Sequence, residues 1–385
     1  MLPYSRQSID QSDIDAVVAA LKSDWLTTGP AVAEFERAFA ESVGTHCAVS
    51  FCNGTAALHA AMFALGIGTN DEVIVPAMTF VATANCVLYQ GGVPVFADVD
   101  PDTLLININD VERKITPRTK AIIAVDYAGQ PADYRRLAVL AQKYGLAVVA
   151  DACHSLGGSE KGVPVGSLAD LTCFSMHPVK PITTAEGGMV TTNSTDLAQC
   201  LRRFRNHGIE RDFRQREASG GYAYGMTDLG FNFRLSDLHA ALGLSQLRKL
   251  RQFTERRTGI ARLYRERLAP YAGIIDPLDL RDATVSSGHL FVVRCRTSAK
   301  ANRDQIFRSL REMGIGVNVH YLPVYLHPYY REQFGHTEGL CPNAEAAYQE
   351  ILSLPIYPDM EDVDVDYVCR ELTSAAMSTQ ARAAA

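Results

Sequence analysis

The chain has 385 residues with 37 Lys and Arg against 43 Asp and Glu, a formal net charge of -6, and its length suits a large domain plus a smaller one. An acidic balance without a long basic run argues against nucleic-acid binding, which needs clustered Lys and Arg to neutralise phosphates. The first ten residues lack the charged-then-apolar order of a signal peptide, and no apolar stretch is long enough to span a bilayer, so the cytoplasm is the expected location.

Along the chain, the first informative stretch is Asn53-Gly54-Thr55-Ala56-Ala57-Leu58, a turn leading into an apolar helix, whose N-terminus offers unpaired N–H groups and a positive dipole. Apolar, β-branched runs follow at 72–75, 93–97, 121–125, 146–150, 171–174 and 189–192, separated by stretches of crossover length. Runs that are apolar throughout, rather than alternating, suit strands covered on both faces, and this rhythm predicts an α/β fold with a mostly parallel sheet flanked by helices. Ligands in such sheets bind beyond the carboxyl ends of the strands. The polar, Gly-rich stretch 211–224 reads as a long loop of the kind that is often functional. From 235 to about 269 the pattern is one long helix rich in Arg and Leu. After it come an expected strand at 289–295, a helix at 303–313, a strand at 316–320 and a helix at 343–352, which make a small α+β unit. The domain expectation is therefore 1–250 for a large α/β domain with an N-terminal arm, 251–378 for a small C-terminal domain, and 379–385 for an Ala-rich tail expected to fray. Nine cysteines without a CxxC pair read as reduced thiols, mostly buried, and no metal site is expected.

One lysine stands out. Lys180 lies between the run at 171–174 and the pair Gly187-Gly188, flanked by prolines and apolar residues that restrict the backbone. A lysine amine is a nucleophile only when deprotonated or held as an imine, and this setting suits a lysine that binds pyridoxal phosphate (PLP). A surface loop lysine is the plainer reading of Lys180 alone. PLP also requires an acid at its pyridine nitrogen, a phosphate cradle and a flat face. Asp151 follows the run 146–150 at a strand end, although a helix cap is an equally ordinary use for it. His154 has room to approach the ring's phenolic oxygen. Phe80 follows the run 72–75 and can stack on the pyridine, while Thr55 and Ala56 can meet the phosphate.

Taken in order, the glycine turn, the aromatic residue, Asp151-x-x-His154 and Ser175-x-x-x-x-Lys180 follow the arrangement of a PLP-dependent transferase. From Leu26-Thr27-Thr28-Gly29-Pro30 to Gly230-Phe231-Asn232-Phe233-Arg234 the chain resembles the DegT-type nucleotide-sugar aminotransferases, which are fold type I PLP enzymes of the aspartate aminotransferase kind. The resemblance implies that Lys180 forms the Schiff base and Asp151 pairs with the pyridinium. It also implies that Phe80 stacks on the ring, with Ser175 and the backbone of Thr55 and Ala56 on the phosphate. Asn232 would reach the phosphate of the neighbouring subunit in a homodimer. Val125-Asp126-Tyr127-Ala128-Gly129, Val319-His320-Tyr321 and similar stretches resemble the branch that serves pseudaminic acid biosynthesis. That branch moves an amino group from L-glutamate to C4 of a UDP-linked 4-keto-6-deoxy-N-acetylhexosamine. Tyr4, His320, Tyr321 and Tyr325 are candidates for reading the sugar and base. Alternatives are another nucleotide-linked ketosugar as substrate (dTDP-, GDP- or another UDP-sugar, or one with its keto group at C3), or a non-catalytic PLP-binding regulatory protein. Sugar 3-dehydratase relatives carry histidine where Lys180 stands.

Overall fold

The computed structural model describes residues 1–210, 220, 222–296 and 298–378. Most of the loop expected at 211–224 and the tail 379–385 lie outside the described residues. The N-terminal half runs α1 (Gln11–Leu21), α2 (Pro30–Val43), β1 (Cys47–Phe51), α3 (Gly54–Ala64), β2 (Glu72–Pro76), α4 (Ala82–Tyr89), β3 (Val93–Ala97), α5 (Ile108–Lys114), β4 (Thr119–Val125), α6 (Tyr134–Tyr144) and β5 (Ala147–Asp151). It continues through the short β6 (Ser159–Glu160) and β7 (Val163–Pro164) to β8 (Leu171–Ser175), β9 (Gly188–Thr192) and α7 (Thr195–Arg205).

Seven strands form one sheet in the order β1-β9-β8-β5-β4-β2-β3. β9 pairs antiparallel with both of its neighbours, while β8, β5, β4, β2 and β3 pair in parallel. β1 therefore points the same way as the parallel strands, and only β9 runs in reverse. Alternate side chains enter two cores. Val73, Val75, Ile123 and Val149 join Leu58 and Met62 of α3 on one face; Ile74, Ile122, Val148 and Ala150 join Phe35, Phe39 and Leu137 on the other. Both faces are covered, which is why these strands read as continuous apolar runs.

The expected long helix is α8 (Asp237–Leu268), capped by the Ser236 side chain, which accepts from His239 N. At 32 residues it is about 48 Å long. Its first half packs on α1 and α2, and Ile260, Tyr264 and Leu268 belong to a third core with the C-terminal elements. These include an antiparallel sheet β10-β12-β13, with β10 at Ile275–Pro277, β12 at Phe291–Cys295 and β13 at Ile351–Leu354. The short β11 (Thr284–Val285) pairs instead with β6. Helices Arg303–Glu312 (α9), Pro328–Phe334 (α10), Pro342–Glu350 (α11) and Asp362–Met377 (α12) complete the chain.

Two C-terminal expectations are corrected. The segment 316–320 is not a strand: Gly316 N donates to Leu2 O at 2.7 Å, so this backbone is partly engaged by the N-terminal arm, and only the Asn318–Ser353 bridge reaches the sheet. The helix expected to 352 ends at Glu350, because Ile351 to Leu354 pair with β12.

Candidate active site

The carboxyl ends of the parallel strands gather the candidate residues on one edge of the sheet, as the topology requires. After β1, the Asn53 side chain caps α3 by accepting from Ala56 N at 2.8 Å. Two glycines let three segments converge on this cap. A Cβ at Gly188, which opens β9, would stand 2.2 Å from Asn53 O, and one at Gly54 would stand 2.8 Å from Ser175 Cβ. The cap turn, the end of β8 and the start of β9 thus meet at one point. Gly54 and Thr55 occupy the first helical positions, where N–H groups have no intrahelical acceptor. The Ala56 N–H, expected to face a phosphate, is already held by Asn53; the half-buried Thr55 and Ser175 remain beside the turn.

Asp151 ends β5 and is 5% exposed. Thr83 Oγ1 donates to its Oδ2 at 2.6 Å, and Cys153 N donates to its Oδ1 at 3.2 Å. Thr79 lies 2.7 Å from Thr83 Oγ1. The two threonines orient the acid from the loop and helix after β2; sequence reading missed them, because Thr79 lies in the turn before α4 and only Thr83 is helical, so no helical periodicity links them.

Lys180 is half-buried in the loop after β8, where its N–H donates to His177 O at 2.9 Å. Its Nζ has no hydrogen bond or ion pair among the described residues. Burial pushes the Lys180 pKa below the ordinary lysine value, against the opposing pull of Cys153 and Asp151. This amine is closer to its neutral, nucleophilic form than a surface lysine would be.

His154 faces the same region. Its Nε2 is 3.1 Å from Tyr321 Oη, and its Nδ1 is buried without a partner among the described residues. Burial, then the Lys180 and His320 charges, hold the His154 pKa well below the usual imidazole value. Phe80 is 58% exposed, with its ring 6.3 Å from Tyr321, so its face is available to a planar ligand. The His320 ring lies 5.8 Å from Tyr4, and its Nδ1 is 2.9 Å from Ser353 Oγ; burial pushes it down to about 4. Tyr4, Tyr321 and His320 are therefore gathered around the site. Tyr325 is not. Its side chain is fully buried against Phe96 and its hydroxyl donates to Glu345, so it cannot present a polar group to a ligand. Asn232 is exposed beside Asn206, to which it is joined by a backbone bridge.

This set matches the needs of PLP: an unpartnered amine, a buried carboxylate with fixed orientation, an exposed aromatic face, and hydroxyl and N–H donors at a helix N-terminus. His154 adds a buried Nδ1 that no described residue satisfies. A groove of about 580 Å³ also lies between α1, α2 and α8, but none of these residues lines it. The chemistry therefore points to the sheet edge, not to that groove.

Comparison with known proteins agrees with this arrangement. The sequence model of the DegT/DnrJ/EryC1/StrS aminotransferase family matches residues 7–373. SpsC of Bacillus subtilis (strain 168), a spore coat polysaccharide biosynthesis protein, is 40% identical over 370 residues, covering 95% of this chain and 95% of SpsC. Spr1654 of Streptococcus pneumoniae in its PMP form has a TM-score of 0.92 at 32% identity over 98% of this chain and 99% of that one; it is also known in a PLP form. Helicobacter pylori PseC, an aminotransferase involved in the biosynthesis of pseudoaminic acid, has a TM-score of 0.90 at 32% identity over 97% of this chain and 99% of that one. The chain belongs to the DegT/DnrJ/EryC1/StrS family and is a PLP-dependent sugar aminotransferase.

Proposed function

We propose that this enzyme moves an amino group from L-glutamate to C4 of a UDP-linked 4-keto-6-deoxy-N-acetylhexosamine, giving UDP-4-amino-4,6-dideoxy-N-acetyl-β-L-altrosamine for pseudaminic acid synthesis. The observation that carries the transfer chemistry is Lys180, a half-buried amine without a partner, with its pKa lowered by burial and with Asp151 and Cys153 near enough to oppose that shift. The choice of sugar is supported by the sequence stretches shared with the pseudaminic acid branch and by the likeness to PseC. The likeness to Spr1654 is as close, and SpsC is more identical in sequence. A sugar nucleotide destined for a surface polysaccharide is accordingly the second reading.

When bound, PLP supplies an exchangeable carbonyl and an electron sink that stabilises a carbanion at the reacting carbon. Lys180 would hold the cofactor covalently, Asp151 would face its pyridine nitrogen, and Phe80 would cover one face. Ser175 with the first turn of α3 would receive the phosphate, joined by Asn232 from the neighbouring subunit. Thr83 and Cys153 N fix the Asp151 carboxylate as an acceptor, so its charge stays directed at one point. With the cofactor bound, Lys180 Nζ would be the group placed to take the α-proton of glutamate and return it to the cofactor in one half-reaction, and to run that transfer in reverse, delivering a proton to sugar C4, in the other. Burial favours this double duty because it lowers the cost of carrying the amine in its neutral form.

In the expected outcome Lys180→Ala folds, lacks the visible absorption of covalently held PLP and does not aminate a ketosugar. Normal turnover in that variant would remove Lys180 from the mechanism. Incubating the wild type with glutamate and UDP-, dTDP- and GDP-linked 4-ketosugars, then reading product mass and C4 stereochemistry, tests the sugar. Preference for a dTDP or GDP substrate would overturn the UDP assignment.

A further inference from the structure

Behind His154 lies a second imidazole that the mechanism above leaves unused. His289, two residues before β12, is 2% exposed; its ring centroid is 4.4 Å from that of His154, with the planes tilted by 40°. Two glycines permit the approach. A Cβ at Gly129, where φ is +93°, would stand 2.4 Å from Ser287 Oγ and 3.1 Å from both His154 O and His289 N. At Gly288, where φ is +66°, a Cβ would stand 2.9 Å from Arg257 Cβ. Between them the chain is pinned: Ser287 N donates to Gly129 O at 3.0 Å, Leu290 N to Ala128 O at 3.4 Å, and the Ser287 hydroxyl to His154 O.

An imidazole in this place destabilises the fold. Nδ1 of His154 and Nδ1 of His289 are both buried without a hydrogen-bond partner among the described residues, and each such atom loses its hydration without a bond to replace it. A phenylalanine would fill the space without that loss, so packing does not account for the nitrogen. The groups around the pair are Arg257 of α8, Lys180 from the loop after β8, His320 and Tyr321 from the segment after α9, Tyr127 after β4, and Asp151 and Cys153 on the loop of His154 itself. Burial, then the charges of His154, Lys180, Arg257 and His320, hold His289 well below the ordinary imidazole value. Its Nδ1 stays unpaired beside the His154 ring.

We propose that His289 is a positioning residue for transamination: it seats the His154 ring against Tyr321 and supplies a neutral nitrogen that stabilises positive charge on the Lys180 side of the pocket. The proposal rests on reading Lys180 as the lysine that carries PLP. His289→Phe keeps an aromatic ring and removes both nitrogens, and His289→Asn keeps a polar atom near Nδ1. In full-length His289→Phe the pH midpoint of the visible absorption of bound PLP is expected to fall by about 0.5 unit or more. PLP binding by the cofactor-free protein should weaken about three- to tenfold, and His289→Asn should restore both. A folded His289→Phe with unchanged midpoint and affinity overturns the proposal and leaves His289 a packing residue. If His289→Phe fails to fold, His289→Asn and His289→Gln decide: Asn must preserve the midpoint and Gln must lower it, and equal midpoints overturn the proposal. A wild type whose visible absorption does not depend on Lys180 overturns instead the reading of Lys180.

Discussion

Asp126 shows how a buried residue beside the site can write itself into the stability of the whole chain. It follows β4, accepts from Ala132 N at 2.9 Å and Tyr134 Oη at 2.6 Å, and takes the Ser155 hydroxyl at 2.5 Å. These donors favour the carboxylate, yet burial outweighs them and pushes the pKa up to about 7. An unfolded Asp titrates near ~3.9. Below that pH the carboxyl is protonated in both states and its contribution is fully present. Between about 4 and 7 the unfolded chain ionises while the folded one stays protonated, so stability falls as pH rises, and the loss levels off above 7. Asp126→Asn mimics the protonated acid, accepting two hydrogen bonds at its oxygen and donating from its amide to Ser155 Oγ. Denaturant unfolding at pH 5, 6 and 7 should therefore show the variant gaining on the wild type by roughly 1 kcal/mol per pH unit. A gap that does not change with pH would mean that the carboxyl ionises normally in the folded state. Ser155 lies on the loop that carries Asp151 and His154, so the acid also braces the site. None of this is legible in the letters around position 126, because the burial comes from elements packed around the strand end. Tyr325 teaches the same lesson in reverse: a polar aromatic looks available in a sequence, and only the fold shows its hydroxyl spent on Glu345.

At the scale of elements, the point where β1, β8, β9 and α3 meet depends on glycines that admit no side chain. A methyl at Gly188 would meet Asn53 O at 2.2 Å and Asn53 C at 2.6 Å. Both are backbone atoms, so the cap turn itself has to move. Gly188→Ala is expected to lower stability by about 1–3 kcal/mol and to weaken PLP binding at least about tenfold, because the displaced turn carries the proposed phosphate donors. Gly145→Ala is the control: φ is +67° at the C-terminus of α6, but a Cβ there meets nothing within 4 Å. It should cost about 1 kcal/mol and leave PLP affinity alone. Thermal melts and equilibrium titration of the cofactor-free proteins separate the two effects, and equal affinity losses in both variants would deny the turn its role. The double glycine at 187–188 stands out in the letters, but what it meets does not: Gly188 packs on the chain's own backbone. The parallel strands were readable because both faces are apolar. β1 was not, since Ser50 interrupts its run and is satisfied by Glu36 of α2, at 2.9 Å to N and 2.8 Å to Oγ, with Arg205 of α7 joining the pair. Those partners lie 14 and 155 residues away. The segment 316–320 failed in the opposite sense, its strand-like letters drawn off by the N-terminal arm.

For the whole molecule the open question is whether one chain contains a complete site. Asn232 is exposed on its own chain, and we propose that it serves the phosphate of a partner subunit in a homodimer. Arithmetic makes this testable. A homodimer of Lys180→Ala has no catalytic lysine in either site, and a homodimer of Asn232→Ala has two sites weakened in PLP retention. In a mixed dimer with crossed sites, one site combines both lesions, while the other takes its lysine from the Asn232→Ala subunit and its asparagine from the Lys180→Ala subunit. That second site is intact. Co-expressed and doubly tagged mixed dimers should then bind one PLP per dimer with wild-type affinity and recover up to about half of the wild-type rate. If each subunit instead completes its own site, every site in the mixed dimer carries one lesion, PLP is retained no better than in the Asn232→Ala homodimer, and no recovery occurs. The outcome also bears on substrate recognition, because a phosphate cradle completed across the interface would place the sugar nucleotide within reach of side chains from both chains. Tyr4, His320 and Tyr321 would then be only one side of the surface that selects the ketosugar.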